Sequence, residues 1–317
     1  MLKYLSGIVV CDRSFMLMPS IKSRLLAALI AIAFIPCGRT GAGNPPRAST
    51  DAAPANVSRA RLYKAARDGG DYLIRMQKED GSFHYSYDAV RDRVSSRAYN
   101  IVRHAGAAFS LLELYETTGE IRYRDSARRA IDYLKTRFRP ARKHNSIYVI
   151  DNDGKAKLGA NGLALVALAK QIELDPKSSD RRSAERVANL ILAMQNRDGS
   201  FDSYYPIRGD EPRGSVSLYY PGEAILGLVQ LYRINHDRRL IGAAQRGADF
   251  LIDSERKMSA LPPDAWLMQA LEALFWIKPE RRYAEHAIAL AEAMMAEQYA
   301  AGAPAHFVGG FGPDEPR

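Results

Sequence analysis

The chain has 317 residues, 47% of them hydrophobic, with a net charge of +9 and two cysteines. That length and apolar share support a sizeable packed core, in one large domain or two small ones. Both cysteines, Cys11 and Cys37, fall early in the chain, which excludes an internal disulfide, a thiolate metal site and a cysteine nucleophile from everything after them.

Residues 1–43 read as a targeting segment. Lys22 and Arg24 precede the apolar run LLAALIAIAFIPC. At about 13 residues it is short of the ~20 a membrane-spanning helix needs and right for the apolar region of a signal peptide. The piece MLKYLSGIVVCDRSF fits such a signal badly, so translation is expected to start at Met16 or Met18. Cys37 stands where a bacterial lipoprotein carries its acylated cysteine, and GRTGAGNPPRASTDAAPA behind it suits a tether. Phe34 and Pro36, however, are poor residues for that cleavage motif. The expectation is export to the periplasm or cell surface, either soluble or held by a lipid on Cys37. Lys3, Arg13, Lys22, Arg24 and Arg39 against Asp12 take much of the positive charge with this segment. What remains is mildly basic and does not call for nucleic acid.

Residues 44–57, rich in Pro, Ala and small polar residues, read as a linker, and residues 58–300 as one helical domain followed by a tail over 301–317. LYKAARDGGDYLIRMQ opens the domain as a lone helix. Three later segments align without gaps: GAAFSLLELYETTGEIRYRDSARRAIDYL, EAILGLVQLYRINHDRRLIGAAQRGADFL and WLMQALEALFWIKPERRYAEHAIALAEAM. Each is an apolar helix, a short turn and a second helix. NGLALVALAKQIELDPKSSDRRSAERVANLIL is a looser fourth copy. Tyr115, Tyr232 and Phe275 close the first helices, Tyr123, Leu240 and Tyr283 open the second, and Ala127, Ala244 and Ala287 mark a close approach. The first helices are apolar nearly all round, as buried helices are, and the second carry a polar face. This contrast predicts an all-α fold, an α/α toroid of about nine helices with inner helices ringed by outer ones. Such a repeat buries its apolar face only against its neighbours. A straight solenoid of the tetratricopeptide kind repeats every ~34 residues, whereas Gln77 and Gln195 are two hairpins apart at about 59 residues each.

The stretch MQKEDGSF recurs as MQNRDGSF. Asp80 and Asp198 favour turns, Gly81 and Gly199 can take a positive φ after a helix, and Phe83 and Phe201 can fold back toward Gln77 and Gln195. These parts predict a scaffold element. GGDYLIRMQKEDGSF resembles the QW repeat of the squalene cyclase and prenyltransferase superfamily, with Phe83 in place of tryptophan. Similar QxxxDGxF endings occur in other α/α toroids, among them polysaccharide lyases and six-hairpin glycosidases. NGLALVAL also resembles inner helices of uronate epimerases. The resemblance implies an α/α toroid and, with the export signal, an enzyme acting on a polysaccharide, acidic rather than neutral, by hydrolysis, elimination or C5 epimerisation. The alternatives are a non-catalytic glycan-binding or assembly protein of the cell surface and, more distantly, a terpenoid enzyme.

Chemistry is expected where the aligned copies differ. The inner helices begin YNIVRHAG, KLGANG, LYYPGE and PPDAW. In a toroid these starts ring one end of a cavity, the usual place for substrate contacts. Glu223 and Asp264 would be paired carboxylates, one acid and one base or nucleophile. Tyr220 or His104 would handle the α-proton of a uronate. Tyr99, Tyr219 and Trp266 offer faces for sugar rings, and Arg103 and Asn161 offer donors for hydroxyls or a carboxylate. Each has a plainer role open to it: Asp264 as an N-cap, Glu223 as a partner of the helix dipole, Asn161 as a turn residue, Trp266 as core. Arg103 and His104 form a basic pair that runs against the dipole at a helix start. These residues are expected to line one cleft, with Gln77, Phe83, Gln195 and Phe201 at the opposite end or the periphery.

The chain has no DxDD, DDxxD, HExxH, GxSxG, P-loop or CxxC motif, and DNDG at 151–154 reads as a turn rather than a calcium loop. No metal or cofactor is expected. A closed six-hairpin ring takes twelve helices, so the ring is expected to be open or the sequence a shortened relative.

Overall fold

The computed structural model describes residues 58–88, 91–94, 99–142, 145–207 and 217–299. The targeting segment, Cys37, the 44–57 linker and the 301–317 tail lie outside the described residues. Nine helices run through the rest: α1 (Arg59–Met76), α2 (Ile101–Thr118), α3 (Ile121–Thr136), α4 (Leu158–Leu174), α5 (Arg181–Ala193), α6 (Tyr220–Asn235), α7 (Arg238–Glu255), α8 (Ala265–Ile277) and α9 (Arg281–Ala296). Their ends carry local signals. Ser58, Asn100, Asp237 and Asp264 accept backbone N–H groups as side-chain N-caps of α1, α2, α7 and α8. Gly119, at φ 72°, ends α2.

The helices α2, α4, α6 and α8 form the inner layer. Every residue of α4 from Leu158 to Lys170 is buried. The outer helices bury one stripe each; on α3 it is Tyr123, Ser126, Ala127, Ala130, Ile131 and Leu134. Inner helices pack in chain order, α2 on α4, α4 on α6 and α6 on α8, and each is backed by its outer partner. They approach closely: a Cβ on Gly222 of α6 would lie 2.6 Å from the backbone N of Leu267 on α8. Trp266, at the start of α8, reaches back to Phe109 of α2 with ring centroids 6.5 Å apart. A straight array would hold its first and fourth inner helices apart, so this contact defines a curled layer. The chain is an α/α toroid of helical hairpins, as the repeats predict.

The loops carry three antiparallel ribbons that the sequence pattern did not announce: β1 (Tyr87–Asp88) with β2 (Arg93–Val94), β3 (Phe138–Pro140) with β4 (Ile147–Val149), and β5 (Ala156–Lys157) with β6 (Tyr204–Tyr205). The third ties the start of α4 to the loop after α5.

Both DGSF turns are clasps between outer helices. Gln77 bridges Phe83, and its Nε2 donates to Gly81 O at 3.2 Å and to Ser126 O on α3 at 2.9 Å. Its Oε1 accepts from Arg129 at 2.7 Å. Gln195 repeats this with Phe201, Gly199 O, Ala243 O on α7 and Arg246. Gly81 and Gly199 take φ 85° and 95°. A Cβ on either would strike a backbone carbonyl of the next outer helix, Arg129 O at 2.1 Å or Arg246 O at 2.4 Å. The turns are therefore scaffold. The expected placement at the opposite end needs correction for both: the second turn runs into Ser203, whose O accepts from Leu158 N at 2.9 Å at the start of α4. Phe83 N–H donates to Tyr99 Oη at 3.0 Å, and its ring lies 5.3 Å from that of His104, beside the start of α2. The reason is topological: α1 ends where the loop into α2 begins.

Candidate active site

Asp264 is fully buried and caps α8 with one oxygen. Its Oδ1 accepts from Trp266 N at 2.9 Å and Leu267 N at 3.0 Å, while Oδ2 has no hydrogen-bond partner. Burial pushes its carboxyl up to about 8, against the two backbone N–H groups, and the charge of Glu255 adds to the rise. Glu223, in the first turn of α6, is 3% exposed and also keeps one oxygen, Oε2, without a partner. Burial, and then the neighbouring Asp264, hold its carboxyl well above the usual range. The two form a pair of enclosed carboxyls that burial favours in the neutral form, with Asp264 adding to the rise at Glu223. At neutral pH such a pair offers O–H donors where two charges could not both be accommodated.

Two half-buried tyrosines lie beside them. Burial raises Tyr219, with Asp264 as the second cause; burial also raises Tyr220 to about 12, offset by Lys157 and reinforced by Glu223. Lys157, the residue before α4, donates to Asp151 at 2.6 Å and to Asp153 at 2.9 Å. These ion pairs outweigh burial and hold it firmly charged. Asp151 Oδ1 in turn accepts from Ile101 N at 3.2 Å, the first residue of α2. The starts of α2, α4, α6 and α8 are thus linked by polar groups along one end of the inner layer.

The other expected site residues divide. Arg103 is half-buried; its Nη1 donates to Tyr85 Oη at 2.9 Å, with the guanidinium 5.4 Å from that ring's centre. Trp266 is half-buried against α2 and is part of the packing that curls the layer. Tyr99, His104 and Asn161, by contrast, are turned into the scaffold. His104 is 3% exposed, with Nδ1 2.7 Å from Tyr99 Oη and Nε2 2.8 Å from Ala130 O. Ala130 O can only accept, so Nε2 carries the proton and Nδ1 accepts from Tyr99. Burial first of all lowers the ring to about 4. Both nitrogens are engaged and the ring is neutral, so neither an acid–base role for His104 nor an exposed aromatic face for Tyr99 follows. Asn161 is fully buried, accepting from Val149 N at 2.9 Å and donating to Lys157 O at 2.7 Å. It is a clip between β4 and α4 rather than a substrate ligand.

Sequence reasoning missed Tyr85, Asp151 and Lys157. Asp151 lay in a stretch read only as a turn, which it is, with Gly154 N–H donating to Asp151 O at 3.0 Å. Nothing in a linear pattern marks its side chain as the cap of a distant helix. Among the described residues no group of three His, Cys, Asp or Glu side chains is placed to hold a metal ion, and no helix is long and apolar enough to cross a membrane.

No protein-family model matches the chain, and no curated protein aligns with it. Solved structures do match. An inactivated α-1,6-mannanase of glycoside hydrolase family 76 from Salegentibacter, in complex with α-1,6-mannotetrose, superposes with a TM-score of 0.58 at 12% identity, over 80% of this chain and 91% of that one. The cellobiose 2-epimerase of Spirochaeta thermophila gives 0.61 at 14%, over 89% and 76%. A D-mannose isomerase gives 0.59 at 14%, over 96% and 92%. All three are α/α toroids of the six-hairpin glycosidase-like kind, and the chain has their fold. At these identities the likeness is one of fold.

Proposed function

We propose that the chain is an exported carbohydrate-active enzyme acting on a polysaccharide or oligosaccharide, with Glu223 and Asp264 as its working carboxyls and a preference for an acidic glycan. One observation carries this: two enclosed carboxyls, each with an oxygen left unpartnered, stand at neighbouring inner-helix starts. The solved relatives of this fold named above process sugars. Hydrolysis, elimination and epimerisation all need one proton delivered and another removed. Neutral Glu223 suits delivery. Asp264, at about 8, is poised for removal once a substrate brings it a positive or polar partner. Tyr219 and Tyr220 supply ring faces beside the pair. The acidic preference is supported by Arg103, by the positive ends of four inner helices at one mouth, and by carboxyls that donate rather than repel. The mannanase is inactive when two consecutive aspartates are replaced, and this chain has no such aspartate pair, so its carboxyls come from two different helices. Export rests on residues 22–37, with a lipid on Cys37 as one form of it. Cell fractionation of the wild type and Cys37→Ser distinguishes a tethered chain, which that change releases, from a soluble one, which it leaves unmoved.

A second reading, glycan binding without turnover, is favoured by the enclosure itself. With both carboxyls buried, Tyr99, Arg103, Tyr219, Tyr220 and Trp266 are the partly exposed groups among the candidate residues. Incubation of the mature chain with uronate polymers, α-1,6-manno-oligosaccharides, cellobiose and mannose separates the two. New reducing ends, unsaturated uronates or epimers support the enzyme. Binding without any product supports the second reading, and neither binding nor product overturns both.

A further inference from the structure

Glycines crowd the contacts between inner helices, and most have a plain task. A Cβ on Gly162 would lie 2.7 Å from Ala224 N, and one on Gly227 would lie 2.9 Å from Gly162 O. Those are backbone atoms, so these glycines let whole helices approach. Gly159, the second residue of α4, is different. A Cβ there would lie 2.2 Å from Glu223 Oε2 and 2.3 and 2.8 Å from Cδ1 and Cε1 of Tyr220, all of them side-chain atoms. Its φ is outside the left-handed region, so the backbone itself has no need of glycine, and alanine is the better helix former. What the missing side chain provides is room for the carboxyl of one residue and the ring of another.

We infer that Gly159 is a positioning residue of the site, its absent side chain forming the seat that holds the Glu223 carboxyl and the Tyr220 ring against the start of α4. The catalytic meaning of this seat rests on the role proposed for Glu223, but its geometry does not. Glu223 is anchored by backbone in the first turn of α6, and its carboxyl oxygen Oε2 makes no hydrogen bond that would hold it in place. Steric fit is then what places it. Any group larger than hydrogen at Gly159 must push out the far end of a flexible chain, which the fold can accommodate, or the edge of the Tyr220 ring.

The test is Gly159→Ala, read by carboxyl titration in protein carrying carbon-13 glutamate, with Glu223→Gln to assign the signal. The seat predicts that Glu223 loses its enclosure and titrates lower by about one pH unit or more. Turnover of any glycan the wild type processes should fall in kcat by about tenfold or more. A folded Gly159→Ala protein in which Glu223 titrates as in the wild type overturns the inference. If Gly159→Ala does not fold, the same change in a Glu223→Ala, Tyr220→Ala background must fold, because the space is then vacant; failure there overturns it too. Displaced titration in a protein that processes no glycan leaves the seat standing and removes the carbohydrate role instead.

Discussion

Two inner-helix starts make opposite use of the same materials. At the start of α2, Tyr99 and His104 form a closed chain of hydrogen bonds, Phe83 N–H to Tyr99 to His104 to Ala130 O. At the starts of α6 and α8, Glu223 and Asp264 are as deeply buried, yet each keeps an oxygen with nothing to bond. A buried polar group that is satisfied rigidifies a scaffold, whereas one left unsatisfied costs stability and calls for another explanation. Position at the mouth does not distinguish these residues; hydrogen-bond completeness does, and it is on that difference that the proposed roles of Glu223 and Asp264 rest.

The comparison can be broken most severely by replacing each pair. Glu223→Gln or Asp264→Asn should lower turnover by about 10²–10⁴-fold, the range for loss of a general acid or base, while the protein stays folded. Asparagine keeps the capping oxygen that α8 uses. Kinetics together with thermal melts check this, and unchanged turnover in both variants would return the pair to a structural role.

The next effect is in pH. Asp264 has a native value of about 8 against ~3.9 for an unfolded aspartate, so the native state binds the proton more tightly. Its burial is therefore free of penalty below about pH 4, and stability is lost as pH rises toward 8, on the order of 5 kcal/mol in all. Asp264→Asn should reduce the fall of denaturant-derived stability between pH 6.5 and 8, leaving the part that Glu223 contributes. His104 runs the other way. Its native value of about 4 lies below ~6.5 in the unfolded chain, so stability is full above about pH 6.5 and falls by about 3 kcal/mol as pH drops to 4. Chemical denaturation of His104→Phe across that window should lack this slope, at the cost of a Tyr99 hydroxyl left without its acceptor, worth about 1–3 kcal/mol; Ala130 O, inside α3, keeps its place in the helix ladder.

Smaller effects sharpen the scaffold half. Gln77→Ala removes bonds to Ser126 O, the Ser126 hydroxyl, Gly81 O and Arg129 and should cost about 1–3 kcal/mol; Gln195→Ala should cost slightly less, since Ala243 stands where Ser126 adds its hydroxyl. A large difference between the two in urea unfolding would contradict the equivalence of the clasps. Least of all, Arg103→Ala should raise KM about tenfold for an acidic glycan and leave a neutral one unaffected.

The fold was legible because its signals are local and repeated. Gap-free copies fixed the hairpins, apolar runs such as LALVALA marked inner helices, and Asp–Gly marked the clasps. The site was legible only in part, because satisfaction is a tertiary property. Nothing near His104 in sequence foretells Ala130 O, and nothing near Asn161 foretells Val149 N. The argument from a basic pair opposing the helix dipole failed at His104 because burial leaves that ring neutral. Asp264 was weighed as cap or as carboxylate, yet it is both: one oxygen caps, the other is spare.

The most direct measurement is the protonation state of the pair. Difference infrared spectroscopy of the native protein at neutral pH should show protonated carboxyl C=O bands, one lost in Glu223→Gln and another reduced or lost in Asp264→Asn. A spectrum at neutral pH with no protonated carboxyl band assignable to either residue would contradict the account, because each of these buried carboxyls has an oxygen without a partner to stabilise its charge.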